Sequence, residues 1–135
     1  MSKHRVLIVD DEAGSRRGLS ELVASWGYDT EAASDGAEGL ERVAGFRPHV
    51  VLADLVMPRM DGMELLRALS DSLSHLAFVM LTAKGSIASA VEAMKHGAFD
   101  YLQKPLSSPD QLRLLVSRAL ERFRSVAALE AAVTS

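Results

Sequence analysis

Five short apolar runs recur along the chain, each followed by a stretch with helical spacing. The first, Arg5-Val-Leu-Ile-Val9, does not alternate apolar with polar, which is the pattern of a strand buried on both faces. Leu19, Leu22, Val23 and Trp26 then share one face of a helix that ends near Gly27. The second run, Tyr28 to Ala33, is interrupted by Asp29 and Glu31 and reads as an edge strand. Ser34 is the expected cap of the next helix, with Ala37, Leu40, Val43 and Ala44 on its inner face. The third strand, His49 to Ala53, leads into Asp54 and a loop, Met57-Pro58-Arg59-Met60-Asp61-Gly62. Asp61 caps a helix that buries Leu65, Leu66 and Leu69. The fourth strand, Ala77 to Leu81, runs into Thr82-Ala-Lys-Gly85. The helix that follows begins near Ser86, turns Ile87, Ala90, Val91 and Met94 inward and Ala88, Ser89, Glu92 and Lys95 outward, and closes at His96-Gly97. The fifth strand spans Phe99 to Leu102.

Strands alternating with single helices imply parallel βαβ units joined by right-handed crossovers. A closed (β/α)8 barrel takes about 250 residues, and this chain has 135. The expected fold is therefore an open, doubly wound five-stranded sheet with helices on both faces. A last helix starts after Ser108-Pro109, and Leu112, Leu115, Val116, Ala119, Leu120 and Phe123 give it a broad inner stripe. Beyond Arg124 the spacing continues through Val126, Leu129 and Val133, a heptad-like series broken at Arg122. The division is thus one domain over residues 4–123 and a helical extension, or the start of a linker to an output domain, over 124–135.

Composition narrows the chemistry. Only 5% of residues are aromatic against 48% hydrophobic, so the core is built from aliphatic side chains and Met. A net charge of −3 disfavours nonspecific nucleic-acid binding. The absence of Cys excludes disulfides, thiolate metal sites and cysteine nucleophiles. The run Val6 to Val9 is too short for a secretory or membrane-spanning segment, so the expected setting is the cytoplasm. His4, His49, His75 and His96 are too dispersed to form a metal site, and Gly36, Gly39 and Gly45 lack phosphate-loop spacing. Met57, Met60 and Met63 cluster beside Asp54 as gap-fillers or as an adaptable contact surface.

Ligands of open α/β sheets bind outside the carboxyl ends of the strands. The polar residues at those ends are Asp10 and Asp11, Asp54, Thr82 and Lys104, drawn from four strands. Packed carboxylates repel one another unless protonated or bridged by a cation. An all-oxygen set suits Mg²⁺, with Mn²⁺ the alternative. Lys104 supplies a positive group for one phosphoryl oxygen and Thr82 a hydroxyl for another, which makes in-line attack by an aspartate on phosphorus feasible.

The segments Val6-Leu-Ile-Val-Asp-Asp-Glu12, Val51-Leu-Ala-Asp-Leu-Val-Met-Pro-Arg-Met-Asp-Gly62, Val79-Met-Leu-Thr-Ala83 and Gly97-Ala-Phe-Asp-Tyr-Leu-Gln-Lys-Pro105 resemble, in order and spacing, the receiver domains of bacterial two-component response regulators. The resemblance covers residues 5 to about 122. It implies the flavodoxin-like (βα)5 receiver fold with strand order 2-1-3-4-5. It also implies that Asp54 is phosphorylated by a sensor histidine kinase, that Asp11 ligates Mg²⁺ directly with Asp10 as companion, and that the Val56 carbonyl completes the protein's share of the metal shell. Thr82 and Tyr101 resemble the switch pair, Lys104 the phosphate-contacting lysine, and Lys104-Pro105 the cis bond of relatives. The stretch Gly85 to Tyr101 resembles the receivers of nitrogen-regulatory-type, sigma-54-dependent transcription activators. By that likeness the chain catalyses its own phosphotransfer and autodephosphorylation. It would act on an output domain, a partner protein or a second copy in a homodimer through the face of helix four, strand five and helix five, without itself touching DNA or a membrane.

Two other functions share these residues. A Mg²⁺-dependent aspartyl phosphohydrolase would place its nucleophile after the first strand, with a one-residue gap between the acids that Asp10 and Asp11 lack. A pure interaction module would need no intact acidic set.

Overall fold

The computed structural model describes residues 3–134, with side-chain surroundings through Phe123. The heptad positions Val126, Leu129 and Val133 lie outside the residues whose side chains are described. The elements follow one another as β1 (Arg5–Val9), α1 (Ala13–Ser25), β2 (Asp29–Ala33), α2 (Gly36–Phe46), β3 (Val50–Ala53), α3 (Gly62–Ala68), a short 3-10 turn (Ser70–Ser72), β4 (Ala77–Thr82), α4 (Ile87–Lys95), β5 (Asp100–Gln103) and α5 (Pro109–Thr134). The strands form one parallel sheet in the order β2-β1-β3-β4-β5. This is the doubly wound arrangement expected from the pattern, with the polar-interrupted second run at one edge.

The central strands are buried on both faces, so their alternation divides the core in two. Leu7, Val9, Val51, Ala53, Phe78 and Met80 face Leu65, Leu66 and Leu69 of α3 and its end. Val6, Ile8, Val50, Leu52 and Val79 face Val23 of α1 and Leu112, Val116 and Ala119 of α5. Met57 and Met63 are buried in the first layer and Met60 packs against it, so this trio fills gaps beneath the loop after β3.

Three sequence expectations are corrected. The N-cap of α2 is Asp35, whose carboxylate accepts from Glu38 N at 2.8 Å, while Ser34 N donates to Glu38 Oε1 at 3.2 Å. Ser and Asp cap about equally well, and the Glu three residues on selects Asp35. Ala44, expected inside, is exposed: α2 meets the core through Gly39, set against Val9 and Leu65, and through Leu40, Val43 and Phe46, while Gly36 abuts the Met60 carbonyl.

The third correction concerns α4. Ile87 is 87% exposed, Val91 49% and Met94 48%; Ala93 is the helix's buried residue. Ser89 and Glu92, expected outside, are half-buried, while Ala88 and Lys95 are exposed as expected. Apolar periodicity marks the face a helix can bury, not what it buries it against. α4 meets the body of the domain along its small and polar edge and leaves its apolar stripe without a partner among the described residues.

Candidate functional site

Each strand end hands its site residue to the same rim. Backbone bonds prolong the ladders one step past the strands: Asp10 N to Ala33 O (3.0 Å), Asp54 N to Val9 O (2.9 Å) and Lys104 N to Thr82 O (2.9 Å). Strand pairing therefore sets the mutual placement of Asp10, Asp54, Thr82 and Lys104. Gly62 completes the wall behind Asp54: its N donates to Leu55 O, and a Cβ there would overlap the Asp54 carbonyl. The loop can pass this close to Asp54 only with glycine at that position.

The rim holds a cleft of about 360 Å³ lined by Asp10, Asp11, Glu12, Ser15, Asp54, Val56, Ala83, Lys84 and Lys104. A larger cavity of about 640 Å³ lies at the opposite end of the sheet, lined by Arg5, Arg47, His49 and His75 among others, with no carboxylate. There, His49 Nδ1 accepts from Arg5 N, and burial, then Arg5 and His4, hold the imidazole below its ordinary pKa. Chemistry, not volume, singles out the acidic cleft.

Asp10 is buried and its carboxylate is bonded at both oxygens. Oδ1 accepts from Glu12 N (3.0 Å), and Oδ2 accepts from Ser15 Oγ (2.7 Å) and Lys104 Nζ (2.9 Å). Burial alone would raise its pKa and is the largest single influence. The bonds from Ser15, Glu12 and Lys104, with the lysine's charge, together outweigh it and hold the carboxyl below its ordinary value. Lys104 Nζ also donates to Ser15 Oγ (3.0 Å) and stands 3.7 Å from Asp54 Oδ2. Asp11 is exposed at the mouth. Asp54 is half-buried, and its Oδ1 accepts from Val56 N at 3.4 Å. Thr82 is buried, and its Oγ1 accepts from Lys84 N at 3.1 Å.

Oxygens from Asp10, Asp11 and Asp54 all lie within 4.8 Å of one another, with no nitrogen or sulfur ligand among them. This donor set fits a hard divalent cation, and mutual repulsion of the carboxylates favours one. Val56 lines the same cleft. Lys104-Pro105 is cis, as the resemblance implied. Tyr101 is not among the residues lining the cleft: it packs, partly buried, against the first core layer, and its hydroxyl lies 2.8 Å from Ser89 Oγ. Sequence reasoning missed Ser15, which bridges Asp10 and Lys104; a serine in the first turn of α1 carries no motif. Arg16, read from the sequence with Arg17 as a contact for an acidic partner or as solvated charge, donates through Nη1 to the Asp10 carbonyl at 2.9 Å.

The family model described as "Response regulator receiver domain" matches residues 6–117. The chain is 42% identical over 118 residues to Regulatory protein AtoC of Escherichia coli (strain K12), covering 87% of this chain and 25% of that protein. It is 39% identical to Response regulator MprA of Mycobacterium sp. (strain KMS), covering 90% and 52%. The chain thus spans between a quarter and about half of these curated relatives. Among solved structures, a response regulator receiver domain protein from Clostridium thermocellum superposes with a TM-score of 0.85 at 31% identity, covering 91% of this chain and 98% of that one.

Proposed function

The chain belongs to the response regulator receiver domain family, whose function is phosphorylation-dependent switching, and on that premise we propose that Asp54 is its phosphoacceptor. The observation that carries this reading is the cleft itself: Asp10 and Asp11 from the end of β1, Asp54 from the end of β3 and Lys104 from the end of β5 meet there, with Asp54 half-buried and open to it. Asp10, Asp11, Asp54 and the Val56 carbonyl would hold Mg²⁺, with Mn²⁺ the alternative. The ion supplies charge neutralisation that lets a dianionic donor approach.

The remaining work falls to side chains. A carboxylate oxygen of Asp54 forms a bond to phosphorus as the donor's P–N bond breaks, and the donor imidazole keeps the electron pair. Lys104, 3.7 Å from Asp54 Oδ2, swings from Asp10 and Ser15 to a phosphoryl oxygen. Thr82 turns its hydroxyl to another, exchanging the bond from Lys84 N. Tyr101 follows into the space behind Thr82, and the face of α4, β5 and α5 changes shape.

The donor is a sensor histidine kinase. The recipient of the signal is an output domain, a partner protein or a second copy docking on the apolar stripe of α4, with transcription regulation as the output. Residues 4–123 form the receiver, and 124–135 serve as a helical extension or as the start of a linker toward that output. No described helix is long and apolar enough to cross a membrane; membership of the receiver family is what supports a cytoplasmic setting. The test is incubation with Mg²⁺ and acetyl phosphate followed by intact mass. The expected result is a labile gain of one phosphoryl group, absent in Asp54→Asn and suppressed by chelator. No gain from acetyl phosphate or any histidine kinase would overturn the reading.

A further inference from the structure

The sheet's amino end, opposite Asp54, gathers positive charge. The cavity of about 640 Å³ there is lined by Arg5, Arg47, His49 and Ser72, with no carboxylate in its walls. The chain as a whole carries a net charge of −3, so this concentration runs against its surroundings. No ion pair among the described residues includes Arg5 or Arg47. Asp29, the register partner of Arg5 on β2, does not line the cavity. The two guanidinium charges are therefore left without a counter-charge of their own.

The backbone holds these donors in place. Arg5 Nε donates to Phe46 O and Arg47 O, both at 2.9 Å. That anchors the guanidinium on the carbonyl end of α2, and its two terminal nitrogens bond to no other described residue. His49 Nδ1 accepts from Arg5 N at 3.0 Å, so the ring proton sits on Nε2 as a neutral donor. Burial, then the charges of Arg5 and His4, lower the pKa of this imidazole and favour that form. Arg47 closes α2 at φ 53°, a left-handed conformation that glycine adopts at less cost. A helix stop alone calls for glycine; arginine at this position also puts a charge in the cavity lining.

We infer that this cavity binds the dianionic phosphate of a small phosphate monoester, with Arg5 and Arg47 as its charges and His49 and Ser72 as further donors. Two guanidinium groups match two negative charges, and their planar forks suit phosphate oxygens. Val43, Pro48 and Leu76 supply an apolar wall for the organic part of the ligand. A volume of about 640 Å³ is that of a pocket for a small organic molecule. Binding here needs neither Mg²⁺ nor Asp54, so it is separable from the phosphoacceptor chemistry at the other end of the sheet.

The test titrates the full ¹⁵N-labelled chain in Mg²⁺-free Tris chloride of low ionic strength with phenyl phosphate, inorganic phosphate, benzoate and phenol. Phenyl phosphate is expected to move the amide resonances of Arg5, Arg47 and His49 saturably and to leave those of Asp10 and Asp54 in place. It binds more tightly than inorganic phosphate, which has no body to set against the apolar wall. It also binds about tenfold more tightly than benzoate, which brings a single charge. Phenol moves nothing at the same concentrations, and added salt weakens the binding. Arg47→Gly relieves the left-handed backbone, so its urea midpoint holds or rises while its affinity for phenyl phosphate falls about tenfold. Ser72→Asp, which sets a carboxylate in the lining, produces the same loss. No saturable movement at Arg5, Arg47 and His49, or full affinity in Arg47→Gly, overturns the inference. Benzoate bound as tightly as phenyl phosphate overturns the phosphate assignment, and inorganic phosphate bound as tightly overturns the organic body. Should Arg47→Gly not fold, Ser72→Asp decides, and undiminished binding in it overturns the inference.

Discussion

α3 and α4 begin alike and are held differently. Asp61 and Ser86 each close a complete capping box, with Glu64 and Ser89 returning the bond from N3. Yet α3 buries Met63, Leu65 and Leu66, whereas α4 buries only Ala93 and turns Ile87, Val91 and Met94 to solvent. A cap decides where a helix starts, worth about 1 kcal/mol. Burial decides how firmly it stays, at about 1.5–3 kcal/mol for each large aliphatic side chain. α3 therefore belongs to the rigid frame that places Asp54, and α4 to the part of the domain that can move when Asp54 changes.

The largest effect should come from testing burial directly. Leu66→Ala is expected to lower stability in urea by about 2–5 kcal/mol, since it opens a cavity in the first core layer. Val91→Ala on α4 should stay within about 0.5 kcal/mol, as surface changes do. Comparable losses from the two would erase the distinction between the helices. Val91→Asp should be equally silent in stability while weakening whatever docks on the activated face, read as a lost mass increase with beryllofluoride if that partner is a second copy.

The caps should separate the helices next. Asp61→Ala is expected to cost about 1 kcal/mol of global stability, because α3 opens only when the core opens. Ser86→Ala removes a similar bond, but its loss should appear in hydrogen exchange as faster opening of α4 amides, with the urea midpoint scarcely moved. A midpoint shift from Ser86→Ala as large as that from Asp61→Ala would show that α4 unfolds only with the whole domain.

The same contrast explains how far the sequence could be read. The strands were legible because β1, β3 and β4 are continuous apolar runs, and their ends announced Asp10, Asp54 and Thr82, with Lys104 after the shorter β5 run. Asp61 was legible as a cap, and the start of α4 near Ser86 as a helix start, because both are local devices. The orientation of α4 was not, since Ile87, Val91 and Met94 repeat at the same spacing whether they face a core or a partner. Ser15 was hidden for a related reason. Its contact with Lys104 spans 89 positions and depends on α1 folding back over the rim. Ser15→Ala should leave Asp10 with two of its three donors and Lys104 less restrained, so a changed rate of phosphorylation by acetyl phosphate at unchanged stability is expected. An unchanged rate would leave Ser15 no role beyond packing.

The smallest effect concerns the one ion pair that joins the two helices among the described residues. Arg67 of α3 pairs with Glu92 of α4, and His96 Nε2 stands 3.9 Å from the same carboxylate. Both partners are about half exposed, with side-chain exposures of 50% and 44%, so solvent screens the pair. A coupling of about 0.2–1 kcal/mol is the expectation for such a bridge, declining with salt. The double-mutant cycle of Arg67→Ala and Glu92→Ala should be read twice: once in urea, where the coupling should be near the lower bound, and once in α4 hydrogen exchange. Because the pair is the polar tie between frame and mobile helix, its coupling belongs in the local opening of α4 and not in global unfolding. Coupling that appears only in the urea measurement would place α4 with α3 in the frame, and Glu92 would then be holding the fold together instead of steadying a helix that moves.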